Sequence, residues 1–390
     1  MKFMNILIPF YNIDDLDFYF HLIRSLRNFS LNNSIHIVYV NGEAKDEWEQ
    51  EFSFFKLKFP KVDASKSLKF LLFRRKICEQ LKKIKIDVIF VLSDLWALEF
   101  SSYCSTKLGA PFVVWVRGDH RKVREVRKVN WLKRIIVNSL EVKYLNQAAF
   151  VIPNCMSLYE KLREWGVNKD RIKSPVYNGV DVSIFKPFYV PRSNKFTVGY
   201  AGRICPEKRV IEFLKIAEKL KGKDVEFLVS GSKAMDIAFP ENVQYLGKLP
   251  FKEMPKFYNI IDLLVLPSIT EGFPSVILEA YACGKPVLAS REAFPRELEV
   301  FGSVVSIEEI EEEILRLKRA NLEEIGKNAR EYVKKNFTWE RFASRIMEYL
   351  KKAASKVNGV HSFAFEALSI VNAPHRALYY WSLKRTFKIS

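Results

Sequence analysis

The chain has no uninterrupted apolar run of the about 18 to 20 residues needed to cross a bilayer as a helix. Its start, MKFMNILIPFYN, runs into Asp14, Asp15 and Asp17 rather than a small-residue cleavage site, so neither a membrane span nor a secretory signal is expected there. Cysteine is scarce. The five (Cys78, Cys104, Cys155, Cys205 and Cys283) are scattered, with no C-x-x-C pair and no neighbouring histidine cluster, which argues against structural zinc and for a reducing, cytoplasmic compartment. No G-x-G-x-x-G follows an early strand, so a dinucleotide oxidoreductase is not expected. Internal repeats of 20 to 50 residues and low-complexity tracts are absent too, which excludes solenoids.

What is present is apolar surface and positive charge. With 390 residues, 48% hydrophobic and 14% aromatic, the chain can bury enough surface to fold unaided, and its length suits two domains better than one. A formal charge of +18 implies an anionic partner: nucleic acid, a membrane surface or phosphorylated substrates. The stretches Lys56 to Lys85 and Arg117 to Arg134 are densely basic, as is the tail after Lys351, although solvated helix faces would read the same way.

Short β-branched runs alternate with longer helical patterns, the mark of βαβ units around parallel sheets. Strands are expected at Asn5 to Pro9, Ile35 to Val40, Val88 to Leu92, Phe112 to Val116 and Ala149 to Ile152, with helices including Asp15 to Phe29 and Ser67 to Lys83. The segment YNGVDVSIFKP has no helical period and reads as a connection. A second series then begins. It has strands at Thr197 to Ala201, Glu226 to Ser230, Leu263 to Leu266 and Val287 to Ala289, helices at Glu207 to Lys221, Phe251 to Asn259 and Ser275 to Cys283, and a long helical pattern from Leu322 to Lys352. The expected division is an α/β chain of two Rossmann-like domains, 1–177 and 188–345, joined by 178–187 and followed by a helical tail, 346–390.

The segment DLLVLPSITEGFPSVILEAYACGKPVLAS carries the most chemistry. It reads as a buried strand, a loop with Glu271 and Gly272, a helix opened by Pro274 and stopped by Gly284, and a second strand. The backbone N–H groups of Phe273, Pro274's successor Ser275, and Val276 then sit at a helix N-terminus on the carboxyl edge of a sheet, where a phosphate is favoured. Glu271 and Glu279, with seven residues between them, suit hydroxyl donors rather than anions.

The E-x7-E pattern written EGFPSVILE resembles the signature of glycosyltransferase family 4, with the GT-B fold. TVGYAGRICPEKRVIEFLKIAEKL, NVQYLGKLPFKEMPKFYNIIDLLVLPS and NGVDVSIFKP resemble other segments of that family, so the likeness covers Tyr177 to Phe342. It implies two facing domains across a cleft and transfer of a sugar, with retained configuration, from a nucleoside diphosphate sugar to a hydroxyl. It further implies that Glu279 bonds the ribose, Glu271 a hydroxyl of the donor sugar, and Arg203 and Lys208 the diphosphate. Two positioned cations stabilise the departing diphosphate without a metal, so no cofactor is expected beyond the UDP- or GDP-sugar donor. Lys208 has Arg209 beside it, which could exchange roles with it, and Arg203 and Lys208 could instead be surface charge. Gly202 suits close backbone approach; Gly231 and Leu249 correspond to family positions near the diphosphate and base, or are plain turn residues.

The first half departs from the family. PFYNIDDLDFYF stands where a glycine-rich loop is usual, leaving Tyr11 or Asn12 to contribute side chains. Asp15-Leu16-Asp17 has metal-binding D-x-D spacing but sits where cap and first-turn acids belong. His120 or Asp119 in RGDHRK could handle the acceptor proton or orient the donor, with a structural loop histidine as the alternative. His21, His36, His361 and His375 read as structural. Ser67 to Lys83 forms a basic amphipathic pattern that either packs on the sheet or lies on an anionic membrane, which favours a lipid-linked or cell-surface acceptor. The last 30 residues are aromatic and basic, and crossing back or touching membrane are both open. Sugar-nucleotide epimerases and phosphorylases share the architecture and remain alternatives. A nucleic-acid binder lacks any recognised motif, so no nucleic-acid partner is expected. Oligomeric state is open.

Overall fold

The computed structural model describes residues 4–13, 16–29, 33–41, 43–56, 78–92 and 94–356. The basic stretch at 57–77, Asp15 and the tail from 357 lie outside these residues, and so do the expectations attached to them. Tyr11 and Asn12 end the first strand, but their side chains are not among those described.

Among the described residues the chain forms two parallel sheets of six strands, with helices between the strands. The first contains β1 (Met4–Asn12), β2 (Asn33–Asn41), β3 (Ser53–Lys56), β4 (Val88–Val91), β5 (Phe112–Val116) and β6 (Phe150–Pro153), in spatial order 3-2-1-4-5-6. The second contains β7 (Phe196–Ala201), β8 (Val225–Ser230), β9 (Val243–Tyr245), β10 (Leu263–Leu266), β11 (Val287–Ser290) and β12 (Gly302–Val305), in order 12-11-10-7-8-9. Each order reverses direction beside the sheet's first strand, between β1 and β4 and between β7 and β10. Crevices outside the carboxyl ends of such strands are where open α/β sheets take ligands. Every residue of β4, β5, β6, β10 and β11 is buried, as expected of parallel strands covered by helices on both faces.

All nine strands read from sequence are present. The three unread ones, β3, β9 and β12, are short and none is central. The helical pattern from Leu322 is two helices, Leu322–Asn336 and Trp339–Lys356, because Phe337 leaves helical geometry and buries its ring. The second helix sends Phe342, Ile346, Met347 and Leu350 into the core of the first domain, among Ile23, Phe90 and Trp115. The chain therefore passes between the domains twice, and the two crossings lie side by side. Val180 N–H donates to the Phe337 carbonyl at 2.9 Å, and Gly179 sits so close to Trp339 that an added Cβ would lie 2.5 Å from its backbone nitrogen.

Candidate active site

The site grows from the carboxyl ends of β7 and β10. β7 ends at Ala201, and Gly202 follows with φ +153°, turning the chain so that Arg203 stands 60% exposed. Gly231, after β8, packs on this turn; an added Cβ there would lie 1.7 Å from the Gly202 carbonyl oxygen. The Gly231 N–H donates to the Gly247 carbonyl at 2.9 Å, which ties in the loop leading to the half-buried Leu249. The helix expected from Glu207 starts later. A 3-10 turn, Pro206–Lys208, precedes Val210–Lys219, with Arg209 left-handed at φ +48° between them. That break aims Lys208 and Arg209 in different directions. Lys208 ion-pairs with Glu271, both largely buried, whereas Arg209 pairs with Glu292 at 3.4 Å.

Beyond β10, the helix Ser275–Ala282 begins where its sequence suggests and ends one residue earlier, with Pro274 as N-cap (φ −71°, ψ 122°) rather than inside the first turn. Gly284 at φ +72° follows its end, as a left-handed stop requires. Asn178 of the linker holds the helix start in place: its Nδ2 donates to the Phe273 carbonyl at 2.7 Å and the Ser275 hydroxyl at 3.1 Å. Phe273 is buried between Tyr177 and Phe337, while Val276 stays partly accessible. On this helix Glu279 accepts a hydrogen bond from the Tyr258 hydroxyl at 2.7 Å. Burial pushes the Glu279 carboxyl up to about 7, against the opposing Tyr258 bond.

Glu207, unread in the sequence as a site residue, fastens the two loops and the two domains. Its carbonyl accepts the Ile269 N–H at 2.9 Å, which joins the β7 and β10 loops. Its carboxylate, 1% exposed, takes Arg127 in two bonds, Nε at 3.1 Å and a terminal nitrogen at 2.5 Å, and Arg203 lies 3.6 Å away. Burial opposes ionisation of Glu207, but the bonds from Arg127 and its own backbone prevail and hold it near 2. A buried acid two residues after a cysteine in ICPEK carries no sequence mark of such a role.

The first domain faces this edge with the loop after β5. An added Cβ on Gly272 would come within 2.0 Å of the Arg117 carbonyl oxygen, so the loops bearing Glu271 and His120 touch. Asp119 caps the helix His120–Val126, accepting from Lys122 N–H at 2.8 Å, and pairs with Lys161 at 3.0 Å. His120 lies 3.7 Å from Glu141, which Arg124 also binds; burial lowers the imidazole's pKa, and Glu141 only partly offsets that. Across the cleft His21 stacks on Phe251 at 4.7 Å. The structure thus brings Lys208, Glu271 and Arg203 to one rim, with Glu279 and Tyr258 on the adjoining helices and His120 on the facing loop. No group of three or more histidine, cysteine or acidic side chains suited to a metal occurs among the described residues.

Residues 182–336 match the family model described as glycosyl transferases group 1, and residues 19–184 match that of glycosyltransferase family 4. The chain is 29% identical over 228 residues to an uncharacterised glycosyltransferase of Methanocaldococcus jannaschii, covering 53% of this chain and 62% of that one. It is 30% identical over 180 residues to the N,N'-diacetylbacillosaminyl-diphospho-undecaprenol alpha-1,3-N-acetylgalactosaminyltransferase of Campylobacter jejuni, covering 41% and 46%. The chain thus spans less than two thirds of either relative's length. The crystal structure of Anabaena HepE in complex with UDP and glucose is similar in fold, with a TM-score of 0.73 at 20% identity, over 89% of this chain and 99% of that one.

Proposed function

This chain belongs to the group 1 glycosyltransferases of GT-B fold, and from that premise we propose that it moves a sugar from a UDP- or GDP-sugar to a hydroxyl acceptor with retained configuration. The observation that carries the reading is the Lys208–Glu271 pair at the mouth of the second sheet, with Arg203 on the same loop. In the reaction the bond from the sugar's anomeric carbon to the diphosphate breaks, and the acceptor oxygen bonds to that carbon. The electron pair leaves with the diphosphate. Lys208 and Arg203 stabilise that charge, and the acceptor proton passes to the departing diphosphate or to His120. Glu271, released from Lys208 by the incoming phosphate, accepts from a sugar hydroxyl. Glu279 accepts from the ribose, and Gly202, Gly231 and the start of the helix Ser275–Ala282 allow close approach of the diphosphate.

A lipid-linked or cell-surface glycan precursor is the acceptor class we favour. The excess positive charge supports it, as does the name of the Campylobacter jejuni relative, which specifies an undecaprenol diphosphate substrate. A thermal-shift screen of UDP- and GDP-sugars identifies the donor, because a bound ligand stabilises the folded state. With that donor, Glu271→Ala and Glu279→Ala should each lower turnover in a folded protein; transfer at the wild-type rate in both would remove the assignment.

A further inference from the structure

Three of the exposed large apolar side chains fall within five residues: Trp131 (63% exposed), Leu132 (50%) and Ile135 (53%), at the start of the helix Trp131–Leu145. A core-facing stripe would not explain them. Asn130 caps this helix outward, accepting from Leu132 N–H at 3.0 Å. Beside them is a cavity of about 360 Å³ between this helix and His120–Val126, with Trp131, Ile135, Trp165, Arg121 and Arg134 in its walls.

The charges around the cavity are unequal. Its acids are engaged already, Asp119 by Lys161 and Glu125 by Lys122. The cations Arg124 and Arg127 are matched by Glu141 and Glu207. Of the cations in its walls, Arg121 and Arg134 form no ion pair among the described residues, although the Glu141 and Asp119 carboxylates lie near enough to act on Arg121, which also donates to the Asn138 carbonyl at 3.5 Å. The Arg121 guanidinium stacks 4.6 Å over the Trp165 ring, and its Nε is shielded from solvent without a hydrogen-bond partner. A half-buried guanidinium outside any ion pair, on the wall of an open cavity whose own acids are already engaged, favours an anion.

We propose that this face docks on an anionic lipid bilayer, with Trp131, Leu132 and Ile135 entering the headgroup boundary and a lipid phosphate seated against Arg121 and Arg134. Exposed tryptophan and aliphatic side chains ringed by arginine and lysine match the interfacial environment, where the ring lies among headgroups and each cation faces negative surface potential. A soluble acidic protein would satisfy the cations but leave the three apolar side chains without a matching reason to be exposed. Docking through this face also brings the bilayer to the His120 side of the cleft, since Asp119 both lines the cavity and caps the helix that His120 begins.

The test needs neither donor nor acceptor, so its result is separate from the fate of the glycosyltransferase reading. The full chain is floated with phosphatidylcholine vesicles containing about one third phosphatidylglycerol, and with neutral vesicles. Wild type should float with the anionic vesicles only and be released at about 0.5 M salt, where screening shortens the field to a few ångströms. The exposed-site variant W131S/I135S should lose about tenfold in partitioning, and R121Q/R134Q should lose several-fold. Inorganic phosphate should compete only weakly, because it supplies the anion without the boundary. Failure of wild type to float, or flotation of W131S/I135S at the wild-type level, would overturn the proposal and place any contact elsewhere.

Discussion

Arg127 and Glu207 belong to different domains, 80 residues apart in sequence, yet the guanidinium grips the buried carboxylate through two nitrogens. The pair couples the position of the first domain to the loop that carries Arg203 and Lys208. Removing one partner leaves the other charge buried, which costs on the order of 3 to 5 kcal/mol. Arg127→Met should therefore destabilise strongly, and R127M/E207Q much less. Chemical denaturation of both variants checks this; equal losses would show that the pair holds nothing in place.

The same pair sets a pH dependence. Glu207 falls from its usual 4.5 to about 2 in the folded protein, so its contribution is complete above 4.5 and is lost as pH drops towards 2. Unfolding free energy should decline between pH 5 and 3 with a shallower slope in R127M/E207Q than in wild type. Matching slopes would count against the depressed carboxyl.

The two sheets and their parallel order were legible because each rests on local marks. Buried β-branched runs signal parallel strands, and glycine and proline punctuate the loops at Gly202, Gly272 and Pro274. The choice between Lys208 and Arg209 was not legible, since it turns on one left-handed residue, Arg209 at φ +48°, that no local rule requires. Nor was Glu207. Its role depends on a partner brought near only by docking of the two domains. Tyr258 escaped for a related reason: it sits in an apolar helix register and reads as core, which it is, apart from a hydroxyl aimed at Glu279. Short non-central strands such as Val243–Tyr245 offer too few residues to show a period.

On the proposed ribose contact, Glu279 should link protonation to nucleotide binding. With its carboxyl raised to about 7, Glu279 is largely protonated at pH 6 and ionised at pH 8. Raised acids favour folding below the unfolded pKa and lose that contribution as pH rises through the folded one, so E279Q should gain stability relative to wild type between pH 5 and 8. Ribose hydroxyls donate best to the ionised form, so nucleotide affinity should rise across pH 6 to 8, with proton release on binding. Calorimetry in buffers of different ionisation enthalpy measures that release; its absence would separate Glu279 from the ribose. Tyr258→Phe removes a bond that favours the ionised carboxylate and should weaken nucleotide binding by about tenfold, the equivalent of about 1.4 kcal/mol.

Lys208→Met should act on turnover far more than on donor affinity, because the charge it meets develops as the diphosphate departs. Loss of one preorganised donor of this kind typically costs about 10² to 10³ in kcat. Arg203, 60% exposed and solvated before the donor arrives, should show a smaller effect on replacement by methionine. Initial rates of nucleotide release rank the two, and the reverse ranking would assign the leading role to Arg203.

Gly272 and Gly231 are both sites where a single methyl group meets backbone, but the consequences should differ. At Gly231 the added carbon would lie 1.7 Å from the Gly202 carbonyl within the second domain, at φ +158°, so Gly231→Ala must distort the turn that presents Arg203. Both stability and turnover should fall, the former by about 1 to 3 kcal/mol. At Gly272 the obstacle is the Arg117 carbonyl of the opposite domain, 2.0 Å away. The domains can shift slightly apart to admit the methyl, so Gly272→Ala should cost less in stability than in turnover. Separation there pulls His120 and the first domain away from Glu271, and also lengthens the Arg127–Glu207 bonds. Small-angle scattering should then report a larger radius of gyration for Gly272→Ala and an unchanged one for Gly231→Ala. A Gly272→Ala protein with wild-type dimensions and full turnover would mean that the close approach of Arg117 and Gly272 plays no part in assembling the site.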